Sequence, residues 1–155
     1  MRAVEIEEKD IRKLREEALK AFPVEVCALL FGKRGNGKFL VKLVRITRNK
    51  LCSSARFEVD AQEFYNALKR AEEEGLEFLG FFHSHHAKPE PSQIDLQGMR
   101  LWEGYVWLIF STLDYSMKAY LMSESKVEEV EVRIKTALRI NPYSSRVFLC
   151  NRMLL

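Results

Sequence analysis

The chain has 155 residues, with 25 basic against 22 acidic side chains and a net charge of +3. That length suits one domain burying roughly 70% of its extended-chain surface. The near-balanced charge has no block of like charges and makes no case for nucleic acid as a partner. No apolar run approaches the ~18 residues of a membrane span, so no membrane contact is expected.

Three cysteines, Cys27, Cys52 and Cys150, form no C-x-x-C pair and no disulfide framework. With no secretory signal pattern after Arg2, a reducing, cytoplasmic setting is expected. Heavy Glu, Lys and Arg usage leans toward a thermophile, where a disulfide between two of them would be tolerated.

In chain order, Ala3 to Ile6 reads as a first strand. Glu8 to Phe22 places Ile11, Leu14, Ala18 and Ala21 on one face of a helix that Pro23 ends. Glu25 opens an apolar run to Gly32, read as a buried strand. Arg34 to Gly37 is a turn, so Phe39 to Thr47 completes a hairpin. Asn49 to Ser54 is an irregular loop, and Arg56 to Val59 is short and extended. Asp60 caps a helix and Glu63 completes a capping box. Phe64, Leu68 and Ala71 form the helix stripe, and Gly75 stops it.

Glu77 to His83 reads as a second buried strand, followed by a proline-containing loop. A helix spans Ser92 to about Leu101, where Gly98 costs about 1 kcal/mol against alanine. Tyr105 to Phe110, Met117 to Met122 and Val127 to Ile134 are strands. Residues 135–155 are read as an extension of a 1–134 domain, packing on it or joining a partner subunit, which would make a homodimer.

The chemistry concentrates at Gly80-Phe81-Phe82-His83-Ser84-His85 and Pro91-Ser92-Gln93-Ile94-Asp95. In extended chain His83 and His85 share a face, and Asp95 supplies a carboxylate if the loop folds back. Two imidazoles and a carboxylate suit zinc and leave a fourth position open. Each part also has an ordinary reading. His-x-His pairs are often incidental, Ser-x-x-Asp is a capping-box pattern, and Glu25 could be an exposed strand end. Against that, all three histidines (His83, His85 and His86) fall within four residues. A carboxylate opening a buried strand is a candidate general base.

Pro23-x-Glu25-x-Cys27-Ala28-Leu29-Leu30-Phe31-Gly32, then the His83–His85 stretch, then Pro91-Ser92-x-x-Asp95 resemble the JAMM (MPN+) metalloprotease motif, in family order. The resemblance covers roughly residues 3 to 134. It implies an α/β JAB1/MPN fold, a curved mixed sheet flanked by helices and related in shape to cytidine deaminases. It further implies His83, His85 and Asp95 as zinc ligands, Glu25 as the base, and Ser92 as hydrogen-bond donor to the oxyanion. The substrates implied are lysine conjugates of a ubiquitin-like modifier, as for a stand-alone archaeal or bacterial member. In relatives the modifier's tail lies beside the segment matching Arg56 to Val59, which would be strand addition to a sheet edge. A sulfur-carrier adduct and a catalytically silent interaction module are the alternatives. Two departures stand out. His86 replaces the family's usual proline and could compete as a ligand, and the loop before Asp95 is one residue shorter.

Overall fold

The computed structural model describes residues 2–137. β1 (Ala3–Glu7) runs directly into α1 (Glu8–Ala21), followed by β2 (Cys27–Gly35) and β3 (Lys38–Thr47). α2 (Ala61–Glu73), β4 (Glu77–His85) and α3 (Gln93–Leu101) come next, then β5 (Val106–Ser111), β6 (Met117–Ser123) and β7 (Lys126–Lys135). The expectation of a packing or dimer-forming segment over 135–155 lies, beyond residue 137, outside the described residues.

The strands order as β1-β3-β2-β4-β5-β6-β7 in one mixed, curved sheet. β1 pairs parallel with both β3 and β7, so the curve closes and these strands leave no free edge. β4 and β5 are also parallel. The expected curved sheet with flanking helices is present, and the closure is the detail that strand patterning did not reveal.

Strand alternation sorts side chains into two cores. Ala28, Leu30 and Phe82 pack with Ile11, Leu14 and Ala18 of α1. Their neighbours Leu29, Phe31 and Phe81 pack with Ala67 and Ala71 of α2 and Met99 of α3. β2 and β4 are apolar on both faces because both faces are covered.

Local signals held with some corrections. Asp60 caps α2 by accepting from the Gln62 and Glu63 amides, but Glu63 does not close the box. Its carboxylate accepts from the Arg48 amide instead, at 3.3 Å. Gly75, at φ +70°, supplies the left-handed residue after α2. Glu25 precedes β2, and β4 continues past His83 to His85. Arg56 to Val59 joins no strand of the sheet and makes one isolated bridge, Val59 to Asn49. Gly98 has a packing reason, since a Cβ there would lie 2.9 Å from the Trp107 ring.

Candidate metal centre and active site

β4 is central in the sheet, with Cys27 opposite His83 on one side and Ile109 on the other. That register puts both imidazoles on one face at the strand's end, and both residues are buried. The Ser84 side chain, between them, accepts from the Val26 amide at 2.9 Å and ties β4 to the segment carrying Glu25.

Asp95 arrives from the first turn of α3. Ser92 Oγ accepts from the Asp95 amide at 3.1 Å, and Asp95 Oδ2 accepts from the Ser92 amide at 2.7 Å. The same carboxylate reaches the histidines, with Oδ1 3.3 Å from His83 Nε2 and Oδ2 3.1 Å from His85 Nε2. Cap and candidate ligand are therefore one arrangement, and the shortened loop still brings Asp95 to the histidines.

His83 Nε2 and His85 Nε2 lie 2.9 Å apart. His83, His85 and Asp95 each offer one atom to a common point. Tetrahedral zinc with bonds of about 2.0–2.1 Å would separate its ligand atoms by about 3.3 Å, close to the three separations here. The residues fit the metal on chemistry too. Burial pushes the His83 pKa down, leaving a neutral imidazole with a lone pair. Burial works against charge on Asp95, but hydrogen bonds to His83 and His85 outweigh it and hold its pKa well below the carboxylate range. For His85 burial is likewise outweighed by Asp95 and Glu25, which raise its pKa.

Glu25 is 5% exposed, with its Oε1 4.0 Å from His85 Nε2. Burial pushes its pKa up to about 7, with His85 lowering and Asp95 raising it. A carboxyl balanced near neutrality can both take and return a proton.

His86 stands apart from the group. Its Nδ1 lies 3.2 Å from Thr112 Oγ1, and its ring meets Phe22 edge-on. It is exposed and no competitor for the ion.

By sequence Asn49 only opens an irregular loop, yet an asparagine just past a strand is a side chain that orders turns. Its Nδ2 donates to the carbonyls of Glu25 at 3.0 Å and Arg56 at 2.8 Å. Its Oδ1 accepts from the amides of Leu51 and Glu58, both at 3.1 Å. One buried amide thus holds Glu25 and the 49–58 loop in register. That loop sets Phe57 against His83, with ring centroids 4.6 Å apart. Buried His83 Nδ1 finds no hydrogen-bond partner among the described residues, so packing by Phe57 and Trp107 orients the ring instead.

An apolar groove of about 470 Å³ leads away from Asp95. Its lining includes Phe57 and Val59 of the 49–59 segment, Ile94 and Leu101 of α3, and Phe81 and Trp107 of β4 and β5. The rim formed by Phe57 to Val59 is extended but is not a sheet edge.

Residues 7–124 match the family described as prokaryotic homologs of the JAB domain. The desampylase of Pyrococcus furiosus is 44% identical over 114 residues, covering 72% of this chain and 77% of that protein. The desampylase of Haloferax volcanii is 30% identical over 122 residues, covering 78% and 86%. Among solved structures, a protein of Desulfitobacterium hafniense superposes with a TM-score of 0.76 at 30% identity, over 88% of this chain and 95% of that one. A Salinibacter ruber protein shares the fold, with a TM-score of 0.64 at 24% identity over 87% and 92%. The chain belongs to the prokaryotic JAB-domain family and is a hydrolase of the JAMM type.

Proposed function

We propose that the protein is a zinc-dependent isopeptidase. It hydrolyses the amide between the C-terminal glycine of a ubiquitin-like modifier and a lysine amine. The observation that carries this is the meeting of His83, His85 and Asp95 within reach of Glu25. The relatives named desampylase support the substrate class.

His83 Nε2, His85 Nε2 and the Asp95 carboxylate would hold zinc. When bound, the metal supplies Lewis acidity, polarising the scissile carbonyl and making water acidic enough to attack. Glu25 takes the proton of the attacking water on its carboxylate and passes it to the departing lysine amine. Its Oε1, 4.0 Å from His85 Nε2, stands beside the metal site where both transfers occur. Ser92 uses a lone pair to cap α3, which leaves its hydroxyl proton free to donate to the oxyanion. The groove beside Asp95 takes the modifier's extended tail, with Phe57 and Val59 in its lining. A silent interaction module has no use for a buried ligand triad beside a carboxyl held near neutrality.

Glu25→Gln tests this reading. The variant should retain metal by elemental analysis yet cleave a modifier–lysine conjugate about 10²- to 10⁴-fold more slowly. Cleavage at the wild-type rate would remove Glu25 from the mechanism.

A further inference from the structure

α2 has two working flanks. Phe64 faces the groove beside Asp95. On the other flank Glu63, Asn66 and Arg70 line a separate recess of about 300 Å³, completed by Arg45 and Thr47 of β3 and by Arg48. The recess gathers three guanidinium groups and one carboxylate. Among the described residues Arg45, Arg48 and Arg70 form no ion pair. The Glu63 carboxylate is engaged by the Arg48 amide at 3.3 Å. Arg45 and Arg48, at and just past the end of β3, and Arg70 on α2 thus point to an anionic partner that the described residues do not supply.

The recess is tied to the active site by strand register. Thr47 lies opposite Cys27, and Cys27 lies opposite His83. Two strand spacings of about 4.8 Å therefore separate the two backbones. Recess and groove are about one helix diameter apart, about 10–12 Å. The crest between them carries Tyr65, 53% exposed, with Lys69 Nζ 5.6 Å from its ring centroid. A tyrosine on the crest and arginines in the recess beside it are the residue types that anchor protein interfaces.

We propose that the α2 crest and the arginine recess form a docking surface for an acidic face of the modifier's folded body. The body rests there while its tail occupies the groove. This rests on the isopeptidase reading and adds a second point of recognition, set by charge. A tail peptide alone engages only the groove, whereas a folded modifier engages both. Arg45 and Arg70 are binding residues with no part in the chemical step.

The test compares two substrates sharing one C-terminal sequence. One is a folded small archaeal ubiquitin-like modifier joined through its terminal glycine to lysine, and the other is its last six residues joined the same way. Arg45→Glu with Arg70→Glu should raise KM for the folded substrate at least tenfold more than for the peptide, with kcat moving much less. In the wild type, KM for the folded substrate should climb between 50 and 500 mM salt, and the double variant should flatten that climb. Replacing acidic residues of the modifier by lysine should restore binding to the double variant. A ratio of KM values unchanged by the substitutions, or a salt dependence the same in both proteins, overturns the docking surface alone. Cleavage of neither substrate by the zinc-loaded wild type overturns the isopeptidase reading, and the docking surface with it. Arg45→Gln with Arg70→Gln keeps the test sound if charge reversal impairs folding, and should give a smaller shift in the same direction.

Discussion

Asp95 Oδ2 accepts the Ser92 amide proton at 2.7 Å and lies 3.1 Å from His85 Nε2. One carboxylate therefore closes a helix cap and completes a candidate metal-ligand set. Because capping fixes its rotamer, the carboxylate is oriented before any ion arrives.

Ser92→Ala separates cap from chemistry. Loss of an N-cap hydroxyl costs about 1 kcal/mol of stability, and loss of an oxyanion donor costs about 10²- to 10³-fold in kcat. Thermal unfolding and steady-state kinetics on the same preparation should show both. A normal kcat with the stability loss would make Ser92 a cap and nothing more.

Metal removal should abolish cleavage but leave the fold. Neither apolar core draws on His83, His85 or Asp95, so a chelated sample should keep its far-ultraviolet circular dichroism. Zinc at 100 times its Kd stabilises by about 2.7 kcal/mol. For a chain this size that raises Tm by about 5–10 °C. A chelated protein that unfolds outright contradicts this.

Glu5 predicts an acid limb. Hydrogen bonds from Lys135 and Lys38 lower its pKa from 4.5 to about 2. The ion pairs, at 2.6 and 2.9 Å, stabilise the folded state fully above pH 4.5. That contribution fades as pH falls toward 2, because a group with a depressed folded pKa binds its proton more readily when unfolded. The Tm difference between wild type and Glu5→Gln should be constant above about pH 5 and shrink steadily below it. A difference independent of pH would show that Glu5 does not titrate this way.

Gly98→Ala sets two effects against each other. Alanine gains about 1 kcal/mol of helix propensity, but its Cβ would sit 2.9 Å from a Trp107 ring atom. Overpacking of this kind costs about 1–3 kcal/mol, and Trp107 also lines the groove. The variant should therefore be less stable and have a higher KM. A stabilised variant would mean that the ring moves aside freely.

The candidate ligand set was legible because each part is a local pattern. His83 and His85 sit two apart in an apolar run, and Ser92 and Asp95 occupy the cap and N3 positions of a helix. Period-2 and period-3.6 spacing fix which face a side chain takes, and α1 and the hairpin were readable on the same ground. The half-made cap at Glu63 was misread because a distant amide, that of Arg48, competed for the carboxylate.

What the chain order alone determined was therefore the family, the candidate ligands and most elements, since short-range sterics and hydrophobic periodicity act within a few residues. Only the folded structure decided that β1 closes the sheet between β3 and β7, that Asn49 secures Glu25, and that His86 turns toward Thr112. The same holds for Arg70 sharing a recess beside α2 with Arg45 and Arg48. Each of these joins groups far apart in number, whose meeting depends on strand register and loop closure, and neither is encoded in any local window.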